Sequence, residues 1–163
     1  MRNEKLAMRN VKGEIYVLVC VWVLIVVTVF SVVFTYASVI TTVKVQKTNS
    51  EIVFDGFVAK NSIIIFNNIK MGKNLTRGVD VGEYQSRLKE FCTLDESGGM
   101  LYSKDNDGNE KYRMTVPEIG FIEEEKLELY ATYTMYVPIR FAGVTVTTAT
   151  VPVKITSALN SKN

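Results

Sequence analysis

Residues 15–43 constrain this chain more than any other part of its sequence. These 29 successive positions carry no charged side chain, and eleven of them are valine. As a helix rising about 1.5 Å per residue, the stretch is longer than the roughly 30 Å hydrocarbon core of a bilayer. Valine favours strands in water, but a lone strand in lipid leaves its backbone polar groups unpaired. The stretch therefore predicts one transmembrane helix.

Charge is distributed unevenly on the two sides of this stretch. Residues 1–14 carry four basic and two acidic side chains, whereas residues 44–163 carry 15 of each. Positive charge beside a membrane helix tends to stay in the cytoplasm. We therefore expect a basic cytoplasmic leader at residues 1–14, a single pass through the cell membrane and an extracytoplasmic C-terminal part. The neutral outer part offers no basic field for nucleic acid.

A cleaved secretory signal is the alternative interpretation of the apolar stretch. Thr35 and Ala37 precede Ser38, which is the pattern of small residues found before a signal cleavage site. The apolar run is longer than the usual core of a signal peptide, and this length favours an uncleaved anchor in contact with lipid.

Small hydroxyl residues recur within the anchor at alternating spacings of three and four, which places them on one helical face. Small faces let helix backbones approach closely, and hydroxyls can bond across the contact. Alternatively, each hydroxyl bonds the carbonyl one turn back in its own helix. The residues of this predicted packing face are Thr28, Ser31, Thr35, Ser38 and Thr42.

The same spacing continues beyond the anchor. No proline interrupts residues 15–71, and Gly72 stands where a helix often ends, so the helix is predicted to continue to about residue 71. The β-branched run at residues 62–66 favours a strand there instead. The outward continuation of the spacing is Val45, Asn49, Ile52, Gly56, Ala59, Ile63 and Phe66.

Residues 72–163 predict a small extracytoplasmic domain. Residues 83–92 carry apolar side chains at helical spacing, and from Gly98 onward the pattern alternates as in strands. The predicted fold class is therefore α+β: a long N-terminal transmembrane helix followed by a small antiparallel β-sheet domain with a short helix. About four strands are expected, at residues 100–103, 112–116, 127–137 and 144–155, with Pro138 ending or bending the third.

Residue types that carry common chemistry are scarce. The chain has no histidine, and Cys20 lies in the anchor while Cys92 lies far beyond it. This excludes histidine-dependent triads, histidine-ligated zinc and a disulfide within one chain. The Asp107-Gly108 pair indicates a hairpin turn rather than a calcium loop, because Met114 stands where the bidentate glutamate belongs. We expect no catalytic, cofactor-binding or metal-binding residues, and no enzyme.

Three further features have a functional and a simpler interpretation. Residues 74–76 match a glycosylation acceptor, a triplet that is frequent by chance. The three glutamates at 123–125 suit either a basic partner or the solvated start of a strand, and we favour the second. Cys92 is interpreted as a buried apolar side chain rather than a reactive thiol.

The layout of leader, apolar helix and β-rich domain resembles that of type IV pilin-like proteins. More narrowly, it resembles the TadE-like pseudopilins of tight-adherence pilus systems. Gly13, Glu14 and Tyr16 match a Gly-Glu-x-Tyr motif of a related bacterial family associated with conjugation and pilus-like genes. Residues 136–139 and 144–146 are similar to the closing strands of TadE-like proteins.

This resemblance implies cleavage by a prepilin peptidase between Gly13 and Glu14. It further implies a structural subunit of a bacterial surface filament, or of a secretion or conjugation apparatus, that assembles with itself or with other pilin-like subunits. In such families a glutamate near the start of the mature chain supports subunit registration, and Leu18 occupies that position here. The alternative function is a permanently anchored extracytoplasmic binding or accessory module that does not polymerise.

Overall fold

The structure, a computed structural model, describes residues 2–73, 77–123, 127–141 and 143–158, with the backbone alone described for residues 2–14, 122, 123 and 127. Within these ranges a long N-terminal helix precedes a short helix and an antiparallel sheet, which confirms the predicted α+β class. The elements are α1 (Arg2–Lys70), α2 (Val81–Cys92), β1 (Asp95–Ser97), β2 (Met100–Lys104), β3 (Glu110–Thr115), β4 (Glu118–Glu123), β5 (Leu127–Phe141) and β6 (Val144–Ala158).

The chain divides into two compact units, which we call the anchor unit (residues 1–38) and the outer unit (residues 39–163). The described part of the anchor unit is helical. The outer unit holds the rest of α1 together with α2 and the sheet. The sequence suggested an outer domain starting at residue 72, but the observed unit begins much earlier. The reason is that α1 contributes core residues, among them Phe54, Phe57 and Ile65.

The second half of α1 is helical throughout, so the strand considered at residues 62–66 is wrong. Ile65 is fully buried while Ile63 and Ile64 are exposed, which is the pattern of a helix with one covered face. The helix ends at Lys70, where Gly72 adopts a left-handed backbone with φ of 62°. Such a glycine satisfies the last carbonyls of a helix without steric cost.

β5 is the central strand of the sheet. Along one edge it pairs with β6, from Glu128 to Phe141. Along the other edge it pairs first with β4 and then, at Met135 and Tyr136, with β3. β3 pairs in turn with β2, and β2 with β1, and every pairing is antiparallel. The predicted hairpin of β2 and β3 around Gly108 is confirmed.

Over the residues that the structure describes, the sheet has six strands rather than about four. β1 and β4 were not predicted, because the first has three residues and the second shows no clear alternation of buried side chains. Pro138 does not end β5, which continues to Phe141. What ends near Pro138 is the pairing with β3, whose last pair is Arg113 with Tyr136. Proline has no N–H to donate, so it fits a strand position with one free edge.

Alternate residues of β5 form the inner face of the sheet. This face is covered by the buried sides of α1 and α2, as expected for helices packed on one face of an antiparallel sheet. The inward residues of β5 are Leu129, Ala131, Tyr133, Met135 and Val137, and they meet Val53, Phe54, Phe57, Val58 and Ile65 of α1 and Tyr84 and Leu88 of α2 in one hydrophobic core.

Candidate functional site

The anchor unit exposes its apolar side chains almost without interruption. Trp22 is 60% exposed and Phe34 is 71% exposed, and the large apolar residues between Ile15 and Tyr36 behave alike. Exposed apolar surface on this scale is not stable in water. Within the described part of the chain, α1 is the one helix long and apolar enough to cross a membrane, judged by its length and composition. The observed helix is therefore consistent with a single-pass membrane anchor.

Two residues of the predicted hydroxyl face bond within their own helix. Thr28 Oγ1 donates to the Leu24 carbonyl and Thr35 Oγ1 donates to the Ser31 carbonyl, each at 2.8 Å. At these two positions the structure shows the local bonding that the sequence left as an alternative. Ser38 is exposed and Thr42 is half-buried. The use of this face for packing between helices stays a prediction.

Several positions singled out from the sequence have no described side chain. Gly13 and Glu14 lie in the backbone of α1, but their surroundings are outside the description. Residues 74–76, the matching glycosylation triplet, lie outside the described residues altogether. Glu124 and Glu125 lie outside them as well, so the interpretation of the glutamate run stays untested.

Most residues of the outward continuation of the hydroxyl spacing are exposed, whereas Asn49 and Phe66 are half-buried. Val45, Ile52 and Ile63 are each more than half exposed, and Gly56 and Ala59 are exposed too. The stripe of α1 that faces the core lies one position later in the sequence, starting at Gln46 and Ser50 and ending near Asn68. The outer unit thus covers one side of α1 and leaves this small and apolar seam free. We call Val45, Ile52, Gly56, Ala59 and Ile63 the outer seam.

A buried polar network joins α1 to the sheet. Gln46 Oε1 accepts a 2.5 Å hydrogen bond from the hydroxyl of Tyr112, and Gln46 Nε2 donates to Ser50 Oγ at 3.3 Å. The hydroxyl of Tyr133 donates to the same Ser50 oxygen at 3.0 Å. Both polar residues of the helix are almost completely buried. Since buried polar groups are costly unless they are paired, this network fixes the register of α1 against β3 and β5.

The environment of the tyrosines makes them poor acids. Burial raises the pKa of Tyr112 and of Tyr133 to about 12 each, and it raises the pKa of Tyr84 further. Tyr84 is fully buried on α2, packed edge-on against Phe54 with ring centroids 5.2 Å apart. Its hydroxyl has no hydrogen-bond partner among the described residues. These phenols therefore stay neutral at physiological pH and serve packing and hydrogen bonding.

Cys92 lies beside this network and is half-buried rather than fully buried. Gln46 Nε2 points at its sulfur from 3.6 Å, and burial raises the pKa of the thiol. A protonated thiol is a weak nucleophile. Cys92 also lines a cleft of about 210 Å³ together with Thr42, Ser103 and Lys111. The chemistry available at this cleft is hydrogen bonding.

The turn between β2 and β3 has its own polar structure. Asp105 Oδ1 accepts hydrogen bonds from the backbone N–H groups of Asn109 at 2.8 Å and Asp107 at 3.0 Å. These bonds, that of Asn109 foremost, hold the pKa of the Asp105 carboxyl below its usual range, and Arg140 adds to the effect. The carboxylate is thus occupied in closing the turn. Over the described residues, no group of three acidic, histidine or cysteine side chains is close enough to hold a metal ion.

The spacing singled out from the sequence lies on the outer seam, whereas the face of α1 that enters the core begins with Gln46 and Ser50 and was not recognised from the sequence. The missed signal is the spacing of Gln46, Ser50, Val53 and Phe57, which recur every three or four residues and continue into Asn61. Polar residues such as Gln46 and Ser50 at the start of an apolar helix stripe indicate a buried network only when their hydrogen-bond partners on the sheet are known.

Comparisons of this chain with protein-family models, with curated proteins and with solved structures found no match.

Proposed function

We propose that this protein is a pilin-like or pseudopilin structural subunit, held in the cell membrane by α1 before assembly into a surface filament or a secretion or conjugation apparatus. The observation that carries the proposal is the single long helix, which is apolar and exposed in the anchor unit and bears a folded α+β domain on its second half. The residues act by packing, with no reaction catalysed by this chain. The leader lies in the cytoplasm and the outer unit outside it.

The outer seam supports assembly through the helix. The hydroxyl face and the outer seam follow one spacing of three and four along α1, and the five residues of the outer seam are exposed. Because small residues allow helices to approach closely, copies packed side by side would bury Gly56, Ala59 and Ile63 against one another. The sheet would then lie on the outside of the assembly. The partners are membrane lipid, further copies or other pilin-like subunits, a prepilin peptidase and the assembly machinery.

Mass spectrometry of the protein purified from its native membrane tests the processing step. Cleavage between Gly13 and Glu14 gives a mature chain that begins at Glu14. An intact leader, or a chain that begins near Ser38, contradicts the pilin-like proposal. The first of these results supports the permanently anchored accessory module, which Leu18 at the registration position favours.

Leucine substitutions test the packing face. Ser31→Leu and Thr35→Leu put bulky side chains on the hydroxyl face, so we expect reduced cross-linking between copies in membranes. Val29→Leu and Val33→Leu make the matched change on the opposite side of the same helix, where both valines are exposed. Equal cross-linking in both pairs of variants would remove the argument for this face.

A further inference from the structure

The β5–β6 hairpin continues past the last pair of β5 with β3. β5 runs on for five residues there, and among the described residues β6 is the strand paired with it. The turn between β2 and β3 lies beside this part, because Arg140 Nη2 donates to the Glu110 carbonyl at 2.7 Å and Arg140 Nη1 lies 3.6 Å from Asp105 Oδ2. At about 3.3 Å per residue this two-stranded arm is roughly 16 Å long. Phe141 pairs with Val144, so only two positions separate the strands, and the second is Gly143 with φ of 81°. The arm therefore ends in a tight turn.

The end of this arm is apolar and uncovered. Phe141 is 58% exposed, Val144 66% and Val146 68%. Val146 lies between the pairs Ile139 with Thr147 and Arg140 with Thr145, so it is an extra residue in β6. Such a bulge bends a ribbon and turns its side chains. Three large apolar side chains exposed together at one tip indicate a surface that contacts another apolar phase.

Contacts within the outer unit show where the tip lies along α1. Tyr133 of β5 meets Ser50. Tyr112, the residue of β3 next to Arg113, which pairs with Tyr136, meets Gln46. Beyond it, Lys111 lines the same cleft as Thr41 and Thr42. Residues of β5 that are closer to Phe141 therefore lie closer to the first residues of the outer unit.

Those first residues are the end of the apolar run. The stretch without charge continues through Val43, and Lys44 is the first charged residue after it. Val39 and Val43 pack against the core of the outer unit. The end of the outer unit that carries the hairpin tip is thus the end at which the chain passes from apolar to charged sequence. A membrane that contains the apolar run has its headgroup layer at this level.

We infer that the β5–β6 hairpin tip inserts into the headgroup region of the membrane and acts as a second membrane contact for the outer unit. Phe141 supplies the aromatic side chain that interfaces favour, and Val144 and Val146 supply apolar area. Exposed Lys44 and Lys111 supply positive charge for lipid phosphates. The inference rests on the proposed membrane anchor, and it gives the outer unit a fixed orientation on the bilayer before assembly.

Tryptophan fluorescence of the full chain in phosphatidylcholine and phosphatidylglycerol vesicles tests this contact. The protein has one tryptophan, Trp22, which lies in the anchor and reports on anchoring directly. In a Trp22→Phe background, Phe141→Trp places the probe at the tip and Val144→Trp provides a second probe in case the first variant folds poorly. Met71→Trp is the matched control, because Met71 is exposed at the far end of α1, about 42 Å along the helix from Val43.

We expect lipids brominated near the headgroup to lower the Phe141→Trp emission about twofold and to leave the Met71→Trp emission unchanged. If Phe141→Trp is as insensitive as Met71→Trp while Trp22 of the wild type is quenched by bromines deep in the chains, the tip contact is wrong and the anchor stands. If Trp22 is not quenched either, the proposed anchor itself fails. A third result also overturns the inference. If the tip is protected from aqueous acrylamide only at high protein density and is not quenched by lipid bromine, the tip contacts a second copy of the chain.

Discussion

The hydroxyl of Tyr112 on β3 donates a 2.5 Å hydrogen bond to the amide oxygen of Gln46 on α1, across 66 positions of sequence. This bond connects the third strand to the part of α1 that directly follows the apolar run. Both side chains are buried, so the polar atoms that they bring into the core are stabilised by their hydrogen bonds. The network around Gln46 therefore holds the outer unit on its helix.

Replacement of Gln46 by leucine should destabilise the outer unit by about 2 to 3 kcal/mol, since it removes the amide that accepts from the Tyr112 hydroxyl and donates to Ser50. The double variant Gln46→Leu, Tyr112→Phe removes both partners and should recover about 1 kcal/mol of that loss. Urea unfolding of the full chain in mild detergent, followed by near-ultraviolet circular dichroism, measures both. A double variant that is less stable than the single one contradicts the pairing.

Tyr84 and Tyr133 should respond in opposite ways to loss of the hydroxyl. Tyr133→Phe removes a hydrogen bond to Ser50 and should cost about 1 kcal/mol. Tyr84→Phe removes a buried hydroxyl that has no partner among the described residues, so it should be neutral or stabilise by up to about 1 kcal/mol. Each variant lacks one oxygen atom of the wild type at comparable burial, and the unfolding midpoints of the two in the same detergent test the difference. An equal loss in both would mean that the Tyr84 hydroxyl has a partner in solution.

Alkaline pH should unfold the outer unit through its buried tyrosines. An unfolded tyrosine has a pKa of about 10, whereas burial raises the pKa of Tyr112 and Tyr133 to about 12. Above the unfolded pKa the unfolded chain releases protons that the folded chain keeps. The contribution of these tyrosines to the free energy of unfolding is therefore fully present below a pH of about 10 and is lost as the pH rises from about 10 to about 12. Tyrosinate absorbance during a pH titration should rise together with the loss of near-ultraviolet dichroism. In the double variant that combines Tyr112→Phe with Tyr133→Phe, the free energy of unfolding should depend less steeply on pH over this range.

Gly120 on β4 is held against the ring of its cross-strand partner Tyr130. A methyl group at position 120 would overlap the end of that ring, so Gly120→Ala should displace the tyrosine. The ring would then lose its contact with Lys154, whose Nζ lies 4.7 Å from the ring centroid. We expect a loss of about 1 to 2 kcal/mol on unfolding in detergent. In a Tyr130→Ala background the same glycine substitution should cost clearly less, and an unchanged cost would show that the backbone rather than the ring makes the site tight.

The sequence predicted the elements that are marked by a long hydropathy pattern or by specific turn residues. The helix over residues 15–71, the short helix at 83–92 and the hairpin at Gly108 follow from hydropathy period and turn chemistry, which act between near neighbours. The strand alternative at 62–66 was wrong because β-branched residues have only a weak preference for strands, and packing of Ile65 in the core overrides it. β1 and β4 were missed because β1 has three residues and β4 shows no clear alternation, although each pairs with the strand that follows it in the chain.

The sequence by itself determined that this chain has an uncharged helix long enough for a bilayer and a neutral α+β domain, because length, charge and apolar period are properties of consecutive residues. Only the tertiary structure decided which face of α1 enters the core and which stays open as the outer seam, since that choice depends on Tyr112 and Tyr133 meeting Gln46 and Ser50. It likewise decided that the apolar tip at Phe141 and Val144 lies at the Val39 end of the outer unit. Pairing between distant strands sets that position, and no local pattern records it.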